Sequence, residues 1–178
     1  MLYHLSKDFS QVITVFIPRI PQREQRMEGE NEDTPRICVA KSIEDCLSAM
    51  PGGGYALESG EKPHRIRVYE FDERTVNPNN LIPPSLLYFS GWVLDAWVTG
   101  EYWVINQNLV PVRCYDIELD AYNVFDAPFV KPKQFREASL KCKNLEELLE
   151  ELEELTEQWI ARVANLHFHK IQDIEISG

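Results

Sequence analysis

The chain has 178 residues, 44% hydrophobic and 26% charged, which suits one folded domain with a proper core and excludes wholesale disorder. Its net charge of -11 excludes general nucleic-acid binding, which needs Lys and Arg to neutralise phosphates. The cysteines Cys38, Cys46, Cys114 and Cys142 are scattered, with no CxxC pair, and read as reduced core thiols of a cytoplasmic protein with no metal site.

Residues 1–6 (MLYHLS) predict a short strand with His4 between apolar neighbours; on local sequence such a histidine is ordinarily a satisfied core or edge residue. Residues 12–17 are apolar and β-branched but are stopped by Pro18-Arg19-Ile20-Pro21, too soon for a secretory signal. Residues 22–34 are polar and read as a mobile surface loop. A buried strand over 36–40 (RICVA) then leads into a helix. Ser42 is its N-cap with Asp45 three residues on, and Ile43, Cys46, Leu47 and Met50 fall on one face. Pro51-Gly52-Gly53-Gly54 ends that helix; glycines placed after a helix lack the N-terminal dipole that cradles phosphate.

In residues 64–71 (HRIRVYEF), Arg65 and Arg67 alternate with Ile66 and Val68, predicting a strand with one covered face. Residues 72–84 hold three prolines and three asparagines and predict irregular chain. Residues 86–98 fit helix or strand, and with Gly91 and Asp95 they fall short of a membrane span.

In residues 97–119 (WVTGEYWVINQNLVPVRCYDIEL), Glu101 follows a glycine at the mouth of the strand formers Tyr102-Trp103-Val104-Ile105. A break at Asn106-Gln107-Asn108 and a second strand over 110–119 predict a hairpin or tight strand pair. An acid at a strand's first residue sits at the sheet's rim, where it either caps the strand or reaches a ligand.

Residues 130–136 read as a basic, Pro-containing connector. Asn144 and Glu147 then cap a long C-terminal helix in which Leu145, Leu148, Leu152, Leu155, Trp159, Val163 and Leu166 recur at three- and four-residue steps. Glu146, Glu147, Glu150, Glu151, Glu153, Glu154 and Glu157 fill its other face, ordinarily a solvated surface. The leucine seam is compatible with packing on the sheet or with a helix pair between subunits. His167 and His169 close the helix, where positive charge suits the dipole.

Three of these stretches share an order with a known family. Tyr3-His4-Leu5-Ser6 is similar to a Y-H-G-[ST] opening strand. Residues Arg36 to Ala40 and the helix from Ser42 stand where G-[IV]-Y-[FL]-[AT] and S/T-x-x-x-A would follow, and Gly100 to Val110 looks similar to N-E-Y-[IV]-V-Y-D-x-x-Q-[IV]. Over residues 1–119 the chain thus resembles the ADP-ribosyltransferase fold, in the branch of the poly(ADP-ribose) polymerases and rifampin-modifying enzymes.

The resemblance implies an α+β architecture with a split, mainly antiparallel β core and short helices over residues 1–130; outside it, the leucine periodicity adds a C-terminal helical extension packed on that core over 131–178. It implies an NAD-dependent ADP-ribosyltransferase or related NAD-cleaving enzyme, with NAD as substrate and no metal. Glu101 would stabilise the oxocarbenium-like state and His4 would hold a ribose hydroxyl. Leu5, Ser6 and Cys38 would line the nicotinamide site, and residues 90–100 would face an acceptor of open identity. Leu5 replaces the family's glycine and Cys38 its stacking tyrosine, so that Tyr55, Tyr69 or Tyr102 would have to supply the ring. Those departures give the alternative: a catalytically inactive member that binds a nucleotide or protein as a regulator or inhibitor. No membrane partner is expected, and the C-terminal helix is a candidate dimer contact.

Overall fold

In a computed structural model describing residues 1–26, 28–60 and 62–176, seven segments pair edge to edge. They are β1 (Leu2–Ser6), β2 (Ile37–Ala40), β3 (Arg65–Phe71), β4 (Leu81–Ile82), β5 (Glu101–Val104), β6 (Arg113–Phe129) and β7 (Gln158–Ile174). Their order is β4-β5-β2-β1-β3-β6-β7, and every neighbouring pair is antiparallel. Among the described residues six α-helices join them: α1 (Ile43–Ala49), α2 (Tyr55–Glu58), α3 (Pro84–Phe89), α4 (Ala96–Thr99), α5 (Pro132–Lys141) and α6 (Leu145–Glu154). The architecture is α+β.

Both faces of the sheet are covered, because strand residues of opposite parity feed different clusters. Leu5, Ala40, Ile66, Val68 and Ile117 pack with Ile43, Cys46 and Leu47 of α1 on one face. Leu2, Val39, Tyr69, Phe71 and Val104 pack with Phe16 and Leu109 on the other. A third cluster, Ile82, Leu87, Val93, Ala96 and Trp103, seats α3 and α4 beside β5. The expectation of one covered face for β3 therefore fails. Arg67 is buried, and its guanidinium grips both oxygens of Asp116 at 2.8 and 3.1 Å.

The sheet has a seam. β1 meets β3 over five successive pairs and β2 meets β5 over four, but β1 and β2 share a single pair, Tyr3↔Ala40. Beyond it a side chain takes over from the ladder: His4 Nδ1–H donates to the Cys38 carbonyl at 2.8 Å, which satisfies a buried acceptor where the strands diverge.

The Ser42 cap forms as expected, its side chain accepting from Asp45 N. The glycine run does more than end α1. Gly54 N–H donates to Ala161 O at 2.7 Å, and a Cβ there would lie 2.6 Å from Val124 Cγ1. Glycine is needed for this close approach to the β6–β7 ribbon. Along the same edge of β7, Ser48 and Glu44 accept from the backbone of Val163 and Leu166, so α1 covers part of an otherwise open strand edge.

Several expectations are corrected. The β-branched run at 12–17 forms no strand: Phe16 makes an isolated bridge to Leu109 and packs against Tyr69 and Phe71, and Ile13 N–H donates to the Tyr69 hydroxyl. β5 and β6 form no hairpin: β5 pairs with β2 and β4, β6 with β3 and β7. Residues 86–98 resolve into α3 and α4. The connector at 130–136 is largely helical, because Pro132 begins α5 where a missing N–H has no cost.

The long C-terminal helix stops at Glu154, and residues 131–178 are not a helical extension. Asn144 does cap α6, accepting from Glu147 N at 2.9 Å. Trp159, Val163, Leu166, His167 and His169, however, lie on β7, paired with β6 from Cys114↔Ile174 to Phe129↔Gln158. Ala161 and Val163 alternate into the core; strand pairing of this length overrides a helical spacing of leucines. No helix among the described residues is long and apolar enough to cross a membrane.

Candidate functional site

The site that sequence reasoning centred on begins at Gly100. This glycine closes α4 in the left-handed conformation, φ 75°, and a Cβ on it would lie 2.8 Å from Asp45 Cγ. It thereby sets Glu101 as the first residue of β5, opposite Ala40. Glu101 is only 8% exposed. Its Oε1 accepts from Trp103 Nε1 at 2.8 Å, and the Cys38 side chain stands beside the carboxylate.

Strand alternation makes those partners inevitable. Trp103 is two residues on and shares the face of Glu101, and Cys38 lies opposite Trp103 on β2. Around them stand Arg36, Glu30 and Asp95. The Arg36 guanidinium lies 3.9 Å over the Trp103 ring and pairs with Glu30, while Trp92 stacks on Trp103 at 5.8 Å. Three carboxylates, Glu101, Glu30 and Asp95, thus share a poorly hydrated region with the Arg36 guanidinium.

The electrostatics follow from burial. Loss of hydration, with Glu30 and Asp95 adding repulsion, pushes Glu101 up to about 7 against the stabilising pull of Cys38 and Trp103. Asp95 rises to about 6, chiefly by burial and then by repulsion from Glu30. The Cys38 thiol is raised well above its ordinary value by burial and by Glu101. Glu101 can hold a proton near neutrality, but its carboxylate is committed to the wall of the fold.

His4 is not part of this cluster. Directly opposed residues of antiparallel strands share a face, so Tyr3, Ala40 and Glu101 project together. His4, one residue along and opposite Tyr69, projects to the other side. Its ring packs edge-on against Phe16, centroids 5.0 Å apart. Burial lowers the imidazole's pKa and favours the neutral form that donates to Cys38 O.

The six residues singled out from sequence are divided by the same register. Glu101, Cys38 and Leu5 occupy one face; His4, Ser6 and Tyr102 occupy the other. Ser6 Oγ accepts from Asp8 N at 3.0 Å in a local turn, and Tyr102 lies under Lys41, 5.3 Å from its ring. The structure does not gather these side chains into one cleft. Sequence reasoning missed Arg36, Glu30, Asp95 and Trp92. Only Trp103 was within reach, since period-two alternation from Glu101 points to it.

A second feature lies at the α5–α6 hairpin. Four carboxylates, Glu147, Glu150, Glu151 and Glu154, line a groove of about 330 Å³ with Lys141 and Cys142. None of the described ion pairs involves a glutamate of α6. Among the described residues no group of three or more His, Cys, Asp or Glu side chains is placed to hold a metal ion. Comparison with protein-family models, with curated proteins and with solved structures finds no match to this chain.

Proposed function

We propose that this protein is a catalytically silent relative of the ADP-ribosyltransferases that acts by binding a cationic segment of another protein. The observation that carries the silent half is the opposition of His4 and Glu101 across one sheet. An NAD-cleaving site needs both groups within reach of one ribose. The strands that bear the family-like motifs are neighbours, β5-β2-β1, which supports kinship in fold. Leu5 and Cys38 in place of the glycine and the stacking ring point the same way.

Binding is supported by charge. A chain of net charge -11 concentrates carboxylates on α6 and forms with them an open groove, and such a field attracts and orients cationic surfaces. Two measurements test the reading. Labelled NAD incubated with the protein and cell extract should show neither nicotinamide release nor label transfer above blank; turnover that Glu101→Gln abolishes would overturn the silent half. A photo-crosslinking residue at position 150 should capture a defined protein adduct, lost on Glu147→Lys/Glu154→Lys. Indiscriminate adducts, unchanged by those substitutions, would overturn the binding half.

A further inference from the structure

The other face of the α5–α6 hairpin goes beyond that reading. α6 carries four leucines, yet none of its residues is buried, and Leu145 and Leu149 are 68% and 58% exposed. Helical spacing lines up Leu145, Leu149 and Leu152, with Glu146 and Glu153 beside Leu149 on one flank. An apolar stripe of this kind is the part of a helix that ordinarily meets a partner.

A complementary surface is present on the same molecule. Against the first turns of α5 lies a cavity of about 400 Å³ whose walls include Gly91, Leu94, Pro132 and Leu140. Lys131, Lys133 and Arg136 also border it. Leu140 is 88% exposed. Residues 131–143 hold five basic side chains and one acid, Glu137, in a chain that is otherwise strongly acidic. None of the described ion pairs uses Lys131, Lys133 or Arg136.

The geometry points to a second copy of this chain as the occupant: the leucine stripe of α6 seats in the basic-bordered cavity beside α5 of its partner, and the contact repeats by two-fold symmetry. Each half supplies what the other lacks, apolar surface to apolar surface and Glu to Lys. A two-fold contact forms the same complementary pair twice, and two such hairpins make a four-helix layer. An α6-to-α6 arrangement is disfavoured because glutamates would oppose glutamates, and only α6 against α5 balances the charge. Repulsion between the two net charges is screened beyond about 8 Å at physiological salt, whereas the contact charges lie closer.

Sedimentation equilibrium on the full chain tests this directly. Wild type is expected at twice the chain mass, and Leu149→Ser should weaken association about tenfold or more. Lys131→Glu/Lys133→Glu and Glu146→Lys/Glu153→Lys should each give monomers with unchanged circular dichroism. Mixed in equal amounts, these two variants present opposite charges at both contacts and should recover the dimer mass. A monomeric wild type, a dimer indifferent to Leu149→Ser and to both charge changes, or a mixture that stays monomeric would each overturn the proposal. The acidic groove on the opposite flank is untouched by these changes, so loss of the dimer and loss of the crosslink at position 150 are separable.

Discussion

His4 and Glu101 stand on opposite faces of one sheet, with β2 between their strands. The imidazole bonds the Cys38 carbonyl of that intervening strand, while the carboxylate meets the Cys38 side chain. The two groups touch the same residue from different sides and share no space. Because both touch Cys38, any coupling between them runs through that shared residue and stays small. In urea unfolding, the stability change of a His4→Ala/Glu101→Gln double variant should differ from the sum of the singles by less than about 1 kcal/mol. A coupling of about 2 kcal/mol or more would mean that they share a cleft after all.

The raised Glu101 predicts an inverted pH dependence. In the unfolded chain the carboxyl ionises near its ordinary value of 4.5, but in the fold it holds its proton up to about 7. Below the lower value both states are protonated and no penalty exists. Between the two values folding becomes less favourable as pH rises, and above the upper one the loss is complete. At about 1.4 kcal/mol per unit the loss has an upper limit of about 3.5 kcal/mol. Asp95 adds to it between 3.8 and about 6. Glu101→Gln, which mimics the protonated form and keeps the Trp103 contact, should gain in urea midpoint relative to wild type from pH 4.5 to 7.

Arg36 is 2% exposed, lies over Trp103 and pairs with Glu30. Arg36→Ala removes both the stacked surface and the cation among three carboxylates. Thermal or urea unfolding should show a cost of about 3–5 kcal/mol. Arg36→Met/Glu30→Gln, which removes both charges and keeps volume, should lose clearly less.

Gly54 tests the close approach of the glycine run. Its φ is ordinary, -61°, so Gly54→Ala is opposed by Val124 and Ala161 rather than by the backbone. The expected cost in urea unfolding is about 1–3 kcal/mol. Val124→Ala in the same chain should recover part of it, because the nearest obstacle is a side chain.

Local signals in the chain were reliable where chemistry is local. The Ser42 and Asn144 caps and the strand over 65–71 could be read because each depends on residues a few positions apart. Pairing was not legible: β5 and β6 are consecutive and strand-rich, yet three strands stand between them. Nor was the switch after Glu154, where leucine spacing carried on past the true end of α6 and the partner strand that overrides it lies some forty residues earlier. Glu101 was correctly found at the start of a strand, but the faces of distant strands are fixed only by their register. That register, and not any residue type, separated it from His4.

The single Tyr3↔Ala40 pair between β1 and β2 also has a mechanical meaning. It is a crease, with better-laced strands on either side. What spans the crease is α1, which packs beneath Leu5 and Ala40 and holds β7 by Ser48 and Glu44. Tension applied across the sheet would concentrate at this crease, and α1 would serve as the rivet that keeps the two leaves from peeling apart.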